Sequence, residues 1–157
     1  MKASLKQLLI IEENPHIVTV LTQTLRADYQ ITVATNSRDA VRMLIQGRKF
    51  DGIITELNLP FFDGLEMIKL VRMSKLMGRT PILVLSEAFD SDTRIACLEA
   101  GADGHIAKPF NPLEVKVKLQ SLTSRTTTVA AERHEAPAMP VHSSLLKRFW
   151  SPGTLNL

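Results

Sequence analysis

A single cysteine, Cys97, in 157 residues excludes an internal disulfide framework. Cys97 therefore reads as a buried small hydrophobe, and the thiol economy fits a reducing cytoplasm. No apolar run approaches the ~20 residues needed to span a bilayer. The start, Met1 to Gln7, leads into only Leu8-Leu9-Ile10-Ile11 before two glutamates, so no secretory signal is expected. No glycine-rich phosphate loop follows any strand-like run, which argues against a nucleotide-binding enzyme. A strong charge of one sign is missing too. Residues 1–122 hold 15 Lys/Arg against 14 Asp/Glu, and residues 123–157 hold 4 against 2. Such a near-neutral body lacks the concentrated basic face of a nucleic-acid binder, despite the pI of 9.2.

What is present is alternation. Leu8 to Ile11 is a strand-like run. Pro15 suits a first helical turn, and Ile17, Leu21 and Leu25 then recur every four residues. Tyr29 to Ala34 reads as a second strand. Asn36 or Ser37 caps a helix whose stripe is Val41, Leu44 and Ile45. Gly52 to Thr55 is a third strand, followed by a helix over Gly64 to Met77 that buries Leu65, Ile68 and Val71. Pro81 to Ser86 is continuously apolar, as a strand covered on both faces should be. A helix from Ser91 or Asp92 carries Ile95 and Leu98 and stops at Gly101. A short strand near Gly104-His105-Ile106 precedes Asn111-Pro112, a cap and first-turn proline opening a helix with Val115, Leu119 and Leu122.

Five strand–helix units predict an α/β, doubly wound five-stranded parallel sheet forming a single domain over residues 1–122. Sites in such sheets form at the carboxyl ends of the strands. Those ends carry Glu12, Glu13, Glu56, Ser86 and Lys108. Residues 123–142 are low in large apolar residues and read as a flexible linker. Residues 143–157 form a short tail with the amphipathic cluster Leu145-Leu146-Lys147-Arg148-Phe149-Trp150.

Glu56 ends a strand and is followed by Pro60 and by Asp63-Gly64. With the acidic pair Glu12-Glu13, Ser86, and the run Gly101 to Phe110 containing Lys108-Pro109, this order resembles bacterial response-regulator receiver domains. The likeness covers about three-quarters of the chain. It implies the flavodoxin-like receiver fold and a cis bond before Pro109. It also implies a phosphoacceptor role for position 56, where such domains use aspartate. The acidic pair and acceptor would hold Mg²⁺, with the metal role falling on Glu13, Glu56 and the Asn58 carbonyl. Ser86 and Lys108 would contact the phosphoryl oxygens, and His105 occupies the aromatic switch position.

The departures matter chemically. An added methylene moves a carboxylate by ~1.5 Å when extended, and ~1 Å of misplacement can cost ~10²-fold in rate. Glutamate at both Glu13 and Glu56 therefore points to a degenerate pseudo-receiver without aspartyl phosphorylation. No cofactor is expected, and the two substitutions argue against Mg²⁺. Glu56 can instead reach Lys108, leaving either an "on-like" pocket or an inert ion pair. His105 reads as a pH-sensitive surface or as a solvent-facing strand end. Phe61 and Phe62 read as a pocket lid or a partner contact.

Three function classes follow. The expected one is a stand-alone, non-enzymatic, cytoplasmic signalling protein acting through contacts with a protein partner, as monomer or homodimer. The alternative is a working phosphorelay receiver modified at an atypical residue. An enzyme on a similar fold ranks last, and the short segment after Leu122 argues against a helix-turn-helix output domain. Phe149 and Trp150 are candidate docking residues, with packing onto the chain's own domain or disorder as the other readings of the tail. Deleting residues 143–157 is expected to lower either partner capture or thermal stability; a protein unchanged in both removes any docking or packing role.

Overall fold

The computed structural model describes residues 4–87 and 90–132; the rest of the linker (133–142) and the tail with Phe149 and Trp150 lie outside the described residues. Ten elements alternate: β1 (Lys6–Ile11), α1 (Pro15–Leu25), β2 (Tyr29–Ala34), α2 (Ser37–Ile45), β3 (Gly52–Glu56), α3 (Gly64–Met73), β4 (Ile82–Ser86), α4 (Ser91–Ala100), β5 (Gly104–Ala107) and α5 (Pro112–Glu132). The strands form one parallel sheet in the order β2-β1-β3-β4-β5. The doubly wound architecture is thus as expected. No helix among the described residues is long and apolar enough to cross a membrane.

The period-2 geometry of the strands divides the core in two. Leu8, Ile10, Leu83 and Leu85 face α1 and α5, where Leu21, Leu25, Val115 and Leu119 cover them. Leu9, Ile11, Ile82 and Val84 face the other layer, closed by Ala40, Met67, Ile68, Val71 and Cys97. Because every residue of β4 is buried, its sequence shows no polar alternation. Cys97 is buried as expected.

Local capping matches the sequence logic at most helix ends. Asn14 accepts from the His16 and Ile17 amides, Asn36 from Asp39 N–H and Asp63 from Glu66 N–H. Gly101 ends α4 in the left-handed region at φ 111°. α4 starts at Ser91, as expected, and is capped by Asp90, whose carboxylate accepts from both the Thr93 amide and hydroxyl.

Several boundaries and faces differ from expectation. α3 ends at Met73, not Met77, because Ser74 turns extended and Met77 drops into the core, its sulfur accepting from the Phe50 amide at 3.4 Å. β3 includes Glu56, which pairs with Leu85 of β4. Ile45, Ile95 and Leu98 are exposed; α4 buries only the small Cys97 and Ala100 against the sheet. α5 continues through Glu132, so residues 123–132 of the expected linker are helical. Thr123 is buried there, its hydroxyl 3.0 Å from the Tyr29 hydroxyl.

One organising residue had no signal in the sequence. Arg72 of α3 donates from Nε to Gly101 O (2.8 Å), from Nη1 to Thr80 O (2.7 Å) and Gly78 O (3.3 Å), and from Nη2 to Asp103 Oδ2 (2.8 Å). Asp103 in turn accepts from Ile82 N–H at 2.8 Å. This fork ties α3 to the starts of β4 and β5. Arg72→Ala is expected to lower unfolding free energy by about 2 kcal/mol, and Arg72→Lys to recover little, because a lysine has no planar fork. Urea midpoints of the two variants measure this.

Candidate functional site

Parallel strands start at one edge of the sheet and finish at the other, so the residues following β1, β3, β4 and β5 converge without any long-range contact being specified. At the finishing edge Glu12 is held by its backbone amide on Ala34 O (3.0 Å). Glu56 ends β3, Ser86 ends β4 opposite Ala107, and the Lys108 amide donates to Ser86 O at 2.8 Å. The Lys108–Pro109 peptide is cis, as the resemblance implied.

Lys108 lies between the two carboxylates. Its ammonium donates to Glu12 Oε2 at 2.7 Å and is ion-paired with Glu56 Oε2. The two carboxylates are buried, with exposures of 4% for Glu12 and 6% for Glu56, and the Lys108 side chain is largely covered, at 10%. The remaining carboxylate oxygens are occupied by the backbone. Glu12 Oε1 accepts from Asn14 N–H at 2.9 Å, and Glu56 Oε1 accepts from Leu57 N–H (2.5 Å) and Asn58 N–H (3.2 Å). Burial alone would lower the Lys108 pKa. The hydrogen bonds and charges of Glu12 and Glu56 outweigh it and hold the pKa above its usual value.

Gly64 is required beside this cluster, because a Cβ there would meet Glu56 O at 2.5 Å and Leu57 Cα at 2.8 Å. Ser86 is fully buried. Glu13 and Asn58, in contrast, are exposed at the rim, so the predicted acidic pair splits: Glu12 turns in and Glu13 does not. The donor set does not fit an octahedral divalent cation. Among the described residues no three His, Cys, Asp or Glu side chains converge, and both buried carboxylates already hold Lys108.

The phenylalanine pair also splits. Phe62 packs partly buried against the core, while Phe61 is 60% exposed at φ 82°, a conformation rare for a bulky side chain. The Arg38 guanidinium lies over the Phe61 ring, 3.8 Å from its centroid. The loop between them is pinned by Ser37, whose hydroxyl donates to Pro60 O (2.6 Å) and accepts from Phe62 N–H (3.2 Å). Ser37 and Arg38 were missed as site residues; a serine at a helix start signals a cap, not a loop tether.

His105 is half-buried on β5 and not a solvent-facing strand end; its Nε2 is buried without a hydrogen-bond partner among the described residues. Burial lowers its pKa, helped by the Arg94 and Lys118 charges and opposed by Glu56 and Asp90.

With this geometry established, the likeness to known proteins is specific. The family model for the response regulator receiver domain matches residues 8–120. The alkaline phosphatase synthesis transcriptional regulatory protein PhoP of Bacillus subtilis is 32% identical over 126 residues, covering 80% of this chain and 51% of PhoP. The chain therefore spans about half the length of that curated relative. Chemotaxis response regulator CheY4 of Vibrio cholerae superposes with a TM-score of 0.70 at 31% identity, covering 76% of this chain and 99% of CheY4. The receiver domain of sensor histidine kinase PA1611 of Pseudomonas aeruginosa, solved with magnesium in its active site cleft, gives 0.69 at 30% identity over 77% of this chain and 99% of that one.

A histidine whose folded-state pKa is depressed costs stability in acid, because below pH ~6.5 the unfolded chain takes up the proton first. The native protein is therefore expected to lose stability from pH 7.5 to 5.5 by more than His105→Phe does. Paired urea titrations at the two pH values give the difference.

Proposed function

This chain belongs to the response regulator receiver domain family, and from that premise we propose that it is a pseudo-receiver: a two-component signalling module that acts through protein contacts without phosphorylation of Glu56. The observation carrying this reading is that protein donors hold both Glu56 oxygens and so fix the direction of the carboxylate. An attacking carboxylate needs a free lone pair in line with the phosphorus at ~3–3.5 Å. Here one oxygen accepts two backbone amides and the other faces Lys108.

Electrostatics points the same way. Two carboxylate groups share a single ammonium in this cluster. An approaching phosphoryl donor carries further negative charge into a site of low dielectric, where repulsion is strong. Lys108 can neither leave Glu12 nor Glu56 without stranding a buried charge, a loss worth ~3–5 kcal/mol in comparable pairs. The pocket thus works as a structural clasp holding the receiver in one arrangement.

Output then falls to the surface. Phe61, held outward on left-handed backbone with Arg38 stacked upon it, is the contact residue we assign on the described domain. Phe62 supports the loop from beneath. The module is non-enzymatic, and its setting is the cytoplasm, with a protein partner.

The native protein is expected to acquire no phosphate from small acyl-phosphate donors with Mg²⁺, read by intact mass. Glu56→Asp alone is expected to stay well below the double variant Glu13→Asp/Glu56→Asp, which restores both shortened carboxylates. Stoichiometric labelling of the native chain that disappears in Glu56→Gln sinks the proposal.

A further inference from the structure

We propose that the Lys108 ammonium is the resident cation of this pocket, so that the native chain takes neither Mg²⁺ nor Mn²⁺ between Glu12 and Glu56. The proposal stands apart from the phosphorylation reading, since a pocket that holds metal can still fail to take phosphate.

The argument is one of donors and charge. A divalent ion of this size demands six oxygens at ~2.0–2.1 Å and gives up its water reluctantly. Of the four oxygens of Glu12 and Glu56, two accept backbone amides and the other two face the ammonium. The ammonium is covalently tethered. Its own backbone amide is anchored to Ser86 O at 2.8 Å, so its local concentration far exceeds that of any free ion. An entering metal ion would have to expel Lys108 from a cluster in which it is 90% buried and leave its charge without a partner.

The converse is what makes the assignment chemical and not merely steric. Removing the ammonium leaves Glu12 Oε2 and Glu56 Oε2 facing each other, buried and uncompensated. Water, which ions of this kind keep in most of their sites, would complete the coordination shell around those two oxygens. A chain without Lys108 should therefore recruit the ion that the native chain excludes.

The test is Mn²⁺ titration of the full chain, following paramagnetic broadening of the Leu57 and Asn58 amides. In the native protein both are expected to stay sharp through millimolar Mn²⁺. In Lys108→Met they are expected to vanish at about one equivalent. The midpoint of thermal unfolding of Lys108→Met, lower than the native one, should rise by about 10 °C at ion concentrations near 100-fold over its dissociation constant. Lys108→Met/Glu56→Gln should lose that response. Broadening of both amides in the native protein overturns the proposal, and so does a folded Lys108→Met that leaves them sharp. Should Lys108→Met fold only with Mg²⁺ or Mn²⁺ present, the rescue is itself the expected result; if it folds under neither condition, the native titration decides.

Discussion

The structure turns on one buried cation with two anions. Glu12 and Glu56 share Lys108 in a closed pocket, and the ammonium is enclosed there because both carboxylates engage it. Their joint presence ties the ends of β1 and β3 to the turn after β5. It also explains why the backbone is drawn in: the amides of Asn14, Leu57 and Asn58 all aim at these carboxylates, so the loops leaving β1 and β3 are shaped around charge. Gly64 follows from the same constraint, since the loop must close against Glu56 without a Cβ between.

The opposite edge of the sheet solves a related problem with different chemistry. There the starts of β4 and β5 present carbonyls, and Arg72 gathers three of them with the Asp103 carboxylate through its planar fork. One edge thus uses a point charge among carboxylates, and the other a rigid donor array among carbonyls. A scaffold clamped at both edges can hold Phe61 in a backbone conformation that an unrestrained loop would leave.

What was legible beforehand follows from periodicity and local chemistry. Leu21, Leu25, Val115 and Leu119 lie buried where their spacing put them, and Asn36 and Gly101 cap as a side chain or the lack of one dictates. Ile45, Ile95 and Leu98 carry the same apolar signal yet face outward, because pattern registers hydrophobicity and not which stripe the sheet has room to cover. The end of α3 was misread for a related reason: Met77 is apolar, but it reaches the core beside Phe50 from beyond the extended Ser74 and not from the helix. Arg72 was invisible because its partners are backbone carbonyls, which have no letter in the sequence.

The sequence by itself determined the parallel sheet, the two-layer core and the edge at which Glu12, Glu56, Ser86 and Lys108 meet. Strand–helix alternation permits only crossover connections, and these put all strand ends on one side. Tertiary structure decided how those residues meet. That Glu12 turns inward while its neighbour Glu13 stays in solvent depends on side-chain direction at a strand end, where the alternation of β1 gives way to a loop. That Lys108 engages both carboxylates, and not one, depends on distances between strands far apart in the chain, set only when the sheet has closed.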